Sequence, residues 1–262
     1  MRKLHAKRTI ILYLTVIIIS VFLFAIAAYA DEITVTVGTP DDDGGEVYWQ
    51  VTRSSGTKVD IKIKVPANYT DKGKADLLEQ ELKKNLFTVK RNGAEVTIGG
   101  VQKVEKFQDA THEQDKIAGK APKKVTMDFH LSDGTALAGI DQNGSESKFY
   151  SSLGFDGILV DANLNFSDLS GNTIDALLTD TYNSLLADLP IDYKSGLSLD
   201  LSSDVIAFLF PTGTSEGFVE TFTSDVNTFS TSSLETVPEP TTMLLLCLGF
   251  VGLAGARRRF SN

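Results

Sequence analysis

The sequence predicts a mainly β (α+β) exported domain, an antiparallel and sandwich-like fold with two amphipathic helices, set between an apolar leader and an apolar tail. Three observations predict it. Roughly ten segments alternate apolar and polar residues at the period of a strand. Only two segments repeat apolar residues at helical spacing. The strand segments mostly follow one another directly, without the regular strand–helix alternation that builds a parallel sheet. No repeat of fixed period runs through the chain, which argues against a solenoid.

Taken in order, residues 33–37 alternate, and so do residues 46–52, where Val47, Trp49 and Val51 share one face. Residues 59–65 follow a strict period of two with a charged outer face, and Pro66 ends that strand. The first helix comes next. Asp71 is placed as its N-cap, Ala75, Leu78, Leu82 and Leu86 recur at helical spacing, and Glu79 and Lys83 make an i,i+4 pair. Residues 87–91 and 95–98 flank Asn92-Gly93-Ala94, which has the chemistry of a hairpin turn. Residues 101–107 form another strand. Residues 109–124 are polar and aperiodic, which predicts a long exposed connection and a place where the domain can subdivide.

Residues 125–131 alternate again, residues 133–147 are a Gly/Asp/Ser-rich loop, and residues 158–166 are a strand. The second helix carries one apolar stripe of Ile174, Leu177, Leu178, Tyr182, Leu185, Leu186 and Leu189; Asn172 or Thr173 caps it and Pro190 stops it. Leu197, Leu199 and Leu201 alternate with Ser198, Asp200 and Ser202. Residues 204–210 are more uniformly apolar, as in a buried central strand. Residues 218–223 are the last predicted strand, and the Ser/Thr-rich residues 224–236 read as a flexible stalk.

The two ends specify export. Arg2, Lys3, Lys7 and Arg8 precede an apolar run over residues 10–28, and Ala28-Tyr29-Ala30 supplies small residues at −3 and −1 for cleavage by signal peptidase after Ala30. At the other end, the apolar residues 241–256 would extend roughly 24 Å as a helix, short of a hydrocarbon core about 30 Å thick. Arg257, Arg258 and Arg259 belong on the cytoplasmic side, as does the N-terminal basic cluster. The Val237-Pro238-Glu239-Pro240 motif, the adjoining greasy helix and the Arg cluster together closely resemble the PEP-CTERM sorting signal of Gram-negative bacteria. That resemblance implies recognition of Pro238, Glu239 and Pro240 by exosortase, an integral-membrane enzyme. It also implies at least transient residence in the membrane and delivery to the cell surface or an exopolysaccharide matrix. It covers residues 237–260 and the leader alone. The organisation is then leader 1–30, β-rich extracellular domain 31–223, stalk 224–236 and sorting signal 237–260. Physically, two prolines keep the motif extended, as a protease substrate must be.

The whole chain has 25 Lys+Arg and 34 Asp+Glu. Removing four basic residues of the leader, three of the tail and Glu239 leaves 18 against 33, a net charge of −15 for the exported part. The imbalance is confined to residues 126–236, with 17 acidic residues against only Lys148 and Lys194. Such a surface repels nucleic acid and anionic polymers. The sole cysteine, Cys247, lies in the tail, so the exported part has no disulfide and no cysteine metal site.

No Gly-x-Ser-x-Gly elbow, phosphate loop or His-Glu-x-x-His motif is present, and no cofactor is implied. Calcium is the one ion with candidate ligands. Asp41, Asp42 and Asp43 form an acidic turn, and Asp161, Asn163 and Asn165 alternate as the first ligands of a calcium loop would. The first set lacks loop spacing and reads better as a solvated turn, and the second, with Ala162, Leu164 and Phe166 alternating on the opposite face, reads as a half-exposed strand. His112 and His130 have no second ligand at helical or hairpin spacing. Trp49, Tyr48 and Tyr150 are candidate sugar-stacking residues, although Trp49 is in phase with two core valines. Isolated threonine pairs, Thr34/Thr36 and Thr221/Thr223, are not the regular array that ice binding needs. The functions expected are a non-catalytic surface or matrix protein, a calcium- or carbohydrate-binding module, or a hydrolase using two carboxylates.

Overall fold

The computed structural model describes residues 32–39, 44–109, 114–132 and 136–236; the leader, Asp41 to Asp43, His112 and the sorting tail lie outside these residues. Strands β1 (Glu32–Thr36), β2 (Gly45–Arg53) and β3 (Lys58–Val65) lead into helix α1 (Asp71–Lys84). Then follow β4 (Thr88–Asn92), β5 (Glu95–Gly99), β6 (Val101–Asp109), β7 (Asp115–Lys120), β8 (Pro122–Leu131), β9 (Lys148–Phe155) and β10 (Ile158–Asn165). Helix α2 (Ile174–Asp188) precedes β11 (Leu197–Asp200), β12 (Val205–Leu209), β13 (Glu216–Thr223) and β14 (Thr228–Thr236). The residues from Asp31 to Val237 form one compact unit. Among the described residues no helix is long and apolar enough to cross a membrane.

The strands pair antiparallel into two seven-stranded sheets. Sheet I runs β10-β9-β13-β7-β1-β5-β4 and sheet II runs β11-β12-β8-β14-β6-β2-β3. The sheets stack face to face in matching order, β13 against β14 and β8, and β1 against β6. Alternation in the sequence becomes the two faces of each sheet. In β3, for example, Ile61, Ile63 and Val65 are buried while Asp60, Lys62 and Lys64 are exposed. A sandwich has two open sides, and each helix closes one. Helix α1 packs on β3 and β4, the last strands of the two sheets at one side; α2 packs on β10 and β11 at the other.

Both helices end by identifiable chemistry. Thr70, not Asp71, is the N-cap of α1, its hydroxyl accepting from Gly73 N–H at 3.1 Å. Thr173 caps α2 in the same way through Ala176 N–H. The predicted stripe of α1 holds for Ala75, Leu78 and Leu82, which are buried, but fails at Leu86. There the chain leaves the helix in a Schellman motif, with Phe87 N–H bonded to Leu82 O and Leu86 N–H to Lys83 O. Leu86 takes the left-handed position (φ 59) and is 85% exposed, while Phe87 turns back into the core.

Two larger expectations are overturned. Residues 228–236 are not a stalk; they form β14, hydrogen-bonded between β8 and β6 in the middle of sheet II. Thr228, Ser230, Ser232, Leu234 and Thr236 point inward and are buried. Short hydroxylated side chains fit a pleated, enclosed surface despite their polarity. Nor do residues 109–124 form an exposed connection dividing the domain, since β7 lies within sheet I between β1 and β13. Of its inward residues Asp115, Ile117 and Gly119, only Ile117 has an apolar side chain of any size, and the charge of Asp115 hid the period. Residues 148–155, left unassigned from sequence, form β9, and β12 lies second from the edge rather than centrally.

Asp115 anchors a charged cluster inside the sandwich. Lys74 of α1 and Lys106 of β6 place their Nζ atoms 3.2 and 3.5 Å from Asp115 Oδ2, and all three side chains are 0% exposed. Asp115 Oδ1 also accepts from Gly38 N–H at 2.8 Å. Helix, sheet I and sheet II are thereby tied through one carboxylate.

Candidate functional site

The outward face of sheet I carries an open groove of about 750 Å³ across β1, β7, β13 and β9, with its rim on β10. Its floor is built from small side chains, Ala118, Ser152 and Gly154. Strand register arranges its residues in bands that run across the strands, each band alternating with an inward-facing one. The apolar band is Thr34, Ala118, Phe218, Gly154 and Leu159 on five consecutive strands. Gly154 is small for a reason: a Cβ there would lie 2.1 Å from Phe218 Cε1, so the ring can rest on the strand only above a glycine. Lys116 sets its Nζ 3.6 Å from the centroid of that ring, a cation–π contact. Leu159, at the rim, is 61% exposed.

The next band is ionic, with Lys116, Glu220, Ser152 and Asp161 directly opposite one another on β7, β13, β9 and β10. Neighbouring strands lie about 4.8 Å apart, so the backbones carrying Glu220 and Asp161 are separated by roughly 10 Å. Burial pushes the Glu220 carboxyl above its ordinary range; Gln114 and Lys116 draw it partly back, and the charges of Asp161 and Asp115 add to the rise. Tyr150 donates its hydroxyl hydrogen to Asp161 Oδ1 at 3.1 Å, and burial together with the nearby carboxylates raises its own pKa. Between the two acids, Ser152 is 0% exposed; its Oγ makes no hydrogen bond of good geometry, but its approach to the Tyr150 hydroxyl draws that group's raised pKa partly back.

Of the sugar-stacking candidates, only Tyr150 lies in this groove. Trp49 faces inward at 1% exposure, its Nε1 without a partner, and belongs to the core. Tyr48 stands on the outer face of sheet II, stacked on Phe107 at 5.2 Å. The calcium candidates Asp161, Asn163 and Asn165 do not converge. They are spaced along one strand, with Asp161 held by Tyr150 and Asn165 donating both its N–H and Nδ2 to Asp168 Oδ2 at 3.0 Å. Among the described residues no three His, Cys, Asp or Glu side chains gather to hold a metal ion. His130 does have a partner that spacing did not reveal: Asp128, two residues earlier on the same face of β8, with Nε2 2.7 Å from Oδ2. Phe218, Glu220, Lys116 and Ser152 escaped the sequence reading because each comes from a different stretch of chain, and only register assembles them.

Residues 236–259 match the PEP-CTERM protein-sorting motif. The tail therefore carries a protein-sorting motif, which implies export through the membrane to the cell surface or beyond, with exosortase as the processing partner. No curated protein matches the chain. Among solved structures, the flagellar cap protein FliD from Helicobacter pylori is similar at 11% identity over 71% of this chain, with a TM-score of 0.22. The chain spans about half (52%) of that protein's length. A non-crystalline-cellulose-specific carbohydrate-binding module of type CBM28 is similar at 12% identity over 58% of this chain and 78% of its own, TM-score 0.19. The mannan-recognising module TmCBM27 is similar at 8% identity, 58% and 77% coverage, and TM-score 0.19.

Proposed function

We propose that this protein is released by exosortase to the cell surface or exopolysaccharide matrix and acts there as a non-catalytic, adhesive glycan-binding module. The observation that carries this reading is the sheet I groove. Sugar rings present C–H faces and a rim of hydroxyls. The apolar band of Phe218, Ala118 and, at the rim, the exposed Leu159 suits the first, and the adjacent Glu220, Asp161 and Tyr150 suit the second. An acceptor-rich groove made of fixed strands needs little ordering on binding, which favours affinity for an extended polymer.

The test is a glycan array with the purified full-length chain in mild detergent, alongside Phe218→Ala and Leu159→Ser. Saturable binding lost in both variants, with unfolding midpoints unchanged, is expected; a flat array for the wild type would overturn the reading. For the sorting half, replacing Pro238 and Pro240 by Ala in the native host should leave a longer, membrane-retained product by mass spectrometry. Unaltered mature mass and surface delivery would refute it.

A second reading is a carboxylate-dependent glycan hydrolase. It is favoured by Glu220, whose raised pKa suits a general acid, standing two strands from Asp161. Release of reducing ends from bound polysaccharide, abolished in Glu220→Gln, would support it over binding alone. Calcium remains a third, separable option for the exported part: melting temperatures equal in calcium and in EDTA would remove it.

A further inference from the structure

We propose that the groove's ligand is a cationic glycan, a polymer with deacetylated amino sugars whose protonated amine sits over Ser152 between Glu220 and Asp161. This rests on the glycan-binding reading above and names the substrate class within it. Three features of the ionic band lead there.

First, the order of charges leaves one place for a cation. Along the band run Lys116, Glu220, Ser152 and Asp161 on successive strands. A cation above Ser152 is one strand spacing, about 5 Å, from each carboxylate-bearing strand and two spacings from Lys116. Two attractions at the shorter distance outweigh one repulsion at the longer.

Second, the hydroxyl at that place needs a partner. Ser152 lines the groove and is 0% exposed, and its Oγ makes no hydrogen bond of good geometry, only a looser approach to the Tyr150 hydroxyl. A buried hydroxyl in that state is costly unless a ligand completes it. A sugar ammonium is a donor of three hydrogens and no acceptor, so one group can reach Glu220, Asp161 and the Ser152 oxygen together. Tyr150 already donates to Asp161 and holds that carboxylate in place.

Third, the walls select by sign. Glu32, Asp156, Glu216 and Glu220 line the groove against Lys116 and Lys120, an excess that disfavours uronate or sulfated chains. The floor accepts a cation without strain, since Lys116 rests its own ammonium 3.6 Å from the Phe218 ring centroid. The half-buried Glu220, raised further by the charge of Asp161, gains from a positive neighbour.

The experiment is calorimetric titration of the full-length chain in mild detergent, at mildly acid pH, with short glucosamine oligomers and with their N-acetylated counterparts of equal length. We expect the free-amine oligomer to bind about tenfold tighter or more, the advantage shrinking as salt is raised. The isosteric variants Glu220→Gln and Asp161→Asn should each erase most of the advantage, weakening the free-amine oligomer more than its N-acetylated counterpart. Equal affinity for both oligomers, lost in Phe218→Ala, would overturn the cationic assignment while keeping the glycan groove. No binding of either oligomer, or binding indifferent to Phe218→Ala, would overturn the groove itself. Saturable binding of calcium chloride alone, competing with the amine and lost in Glu220→Gln, would give the position to a metal ion and refute the proposal.

Discussion

Asp115→Asn should unfold this domain far more easily than its single-atom change suggests. The carboxylate faces two ammonium groups, Lys74 at 3.2 Å and Lys106 at 3.5 Å, with no side-chain exposure for any of the three. The amide keeps the shape and can keep the Gly38 N–H bond at Oδ1, but it turns a donor toward two donors and removes the only negative charge of the trio. Removing one partner of a buried ion pair costs about 3–5 kcal/mol, because the remaining charge loses part of its compensation where water cannot replace it. The assay is urea unfolding followed by the fluorescence of Trp49, the single tryptophan, buried at 1% exposure and opposite Lys106 in register. The midpoint should fall with the slope unchanged. Replacing all three residues together by Met, Met and Leu should cost much less than Asp115→Asn alone, as apolar groups of similar volume often substitute for buried charges without loss. A midpoint shift for Asp115→Asn worth less than about 0.5 kcal/mol would place it among ordinary surface changes and refute the cluster's role.

Gly154→Ala should spare the fold and damage the groove: the new methyl meets Phe218 Cε1 at 2.1 Å, the ring must lift, and glycan affinity should drop at least about tenfold in titration while the unfolding midpoint moves by roughly 1 kcal/mol or less. Leu86→Gly should stabilise the domain by about 1 kcal/mol in the same unfolding assay, since Leu86 occupies a left-handed backbone position (φ 59) with its side chain 85% exposed; a destabilised variant would contradict this. The hydrogen bond to Asp128 raises the His130 pKa above its ordinary value near 6.5, while burial raises that of Asp128. A raised histidine contributes stability that is complete below its unfolded pKa and is lost as pH climbs through the folded one, and a raised carboxyl works in the same direction. Melting temperature should therefore fall from pH 6 to pH 8 more steeply in the wild type than in His130→Gln, and equal slopes would exclude the pair as the cause.

What the sequence made legible was period, and what it hid was polarity placed inward. Strands such as β3, with Ile61, Ile63 and Val65 alternating against charges, are readable because one face is apolar throughout. The β14 strand shows the same alternation in burial, but its inward positions are Thr228, Ser230, Ser232, Leu234 and Thr236, so composition pointed to a stalk. In β7 the inward Asp115 is stable there only because Lys74 and Lys106 arrive from elsewhere in the chain, and no local window contains that information. The site failed to show itself for a related reason. Tyr150 could be picked out by residue type, whereas Lys116, Glu220, Ser152 and Asp161 become one band only when four strands take up their register. The sorting tail is the opposite case, a contiguous linear address of residues 236–259 that needs no fold to be read.

The two outer faces of the sandwich differ in a way that decides which of them is built to bind. On sheet II the polar groups answer one another: Lys103 with Glu105 at 2.7 Å, Thr126 with Ser233 at 2.7 Å, Lys123 with Glu235 at 2.9 Å and His130 with Asp128 at 2.7 Å. Its tyrosine stacks on Phe107, and among the buried side-chain atoms described on that face only Asp128 Oδ1 lacks a partner. A ligand approaching that face must break existing bonds before making its own, so the exchange gains little. On sheet I Tyr150 and Lys116 are engaged too, but the floor side chains are small enough to leave a groove, the Ser152 hydroxyl makes no hydrogen bond of good geometry, and Leu159 lies bare beside them. Each of those features costs stability in the empty protein and is returned only when something fills the groove. A domain without disulfides can carry that cost because its closure comes from elsewhere, from a helix packed over each open side and a carboxylate shared by two buried lysines. Rigidity at the edges is therefore what permits an incomplete face at the centre, and the incomplete face is where a ligand has most to gain.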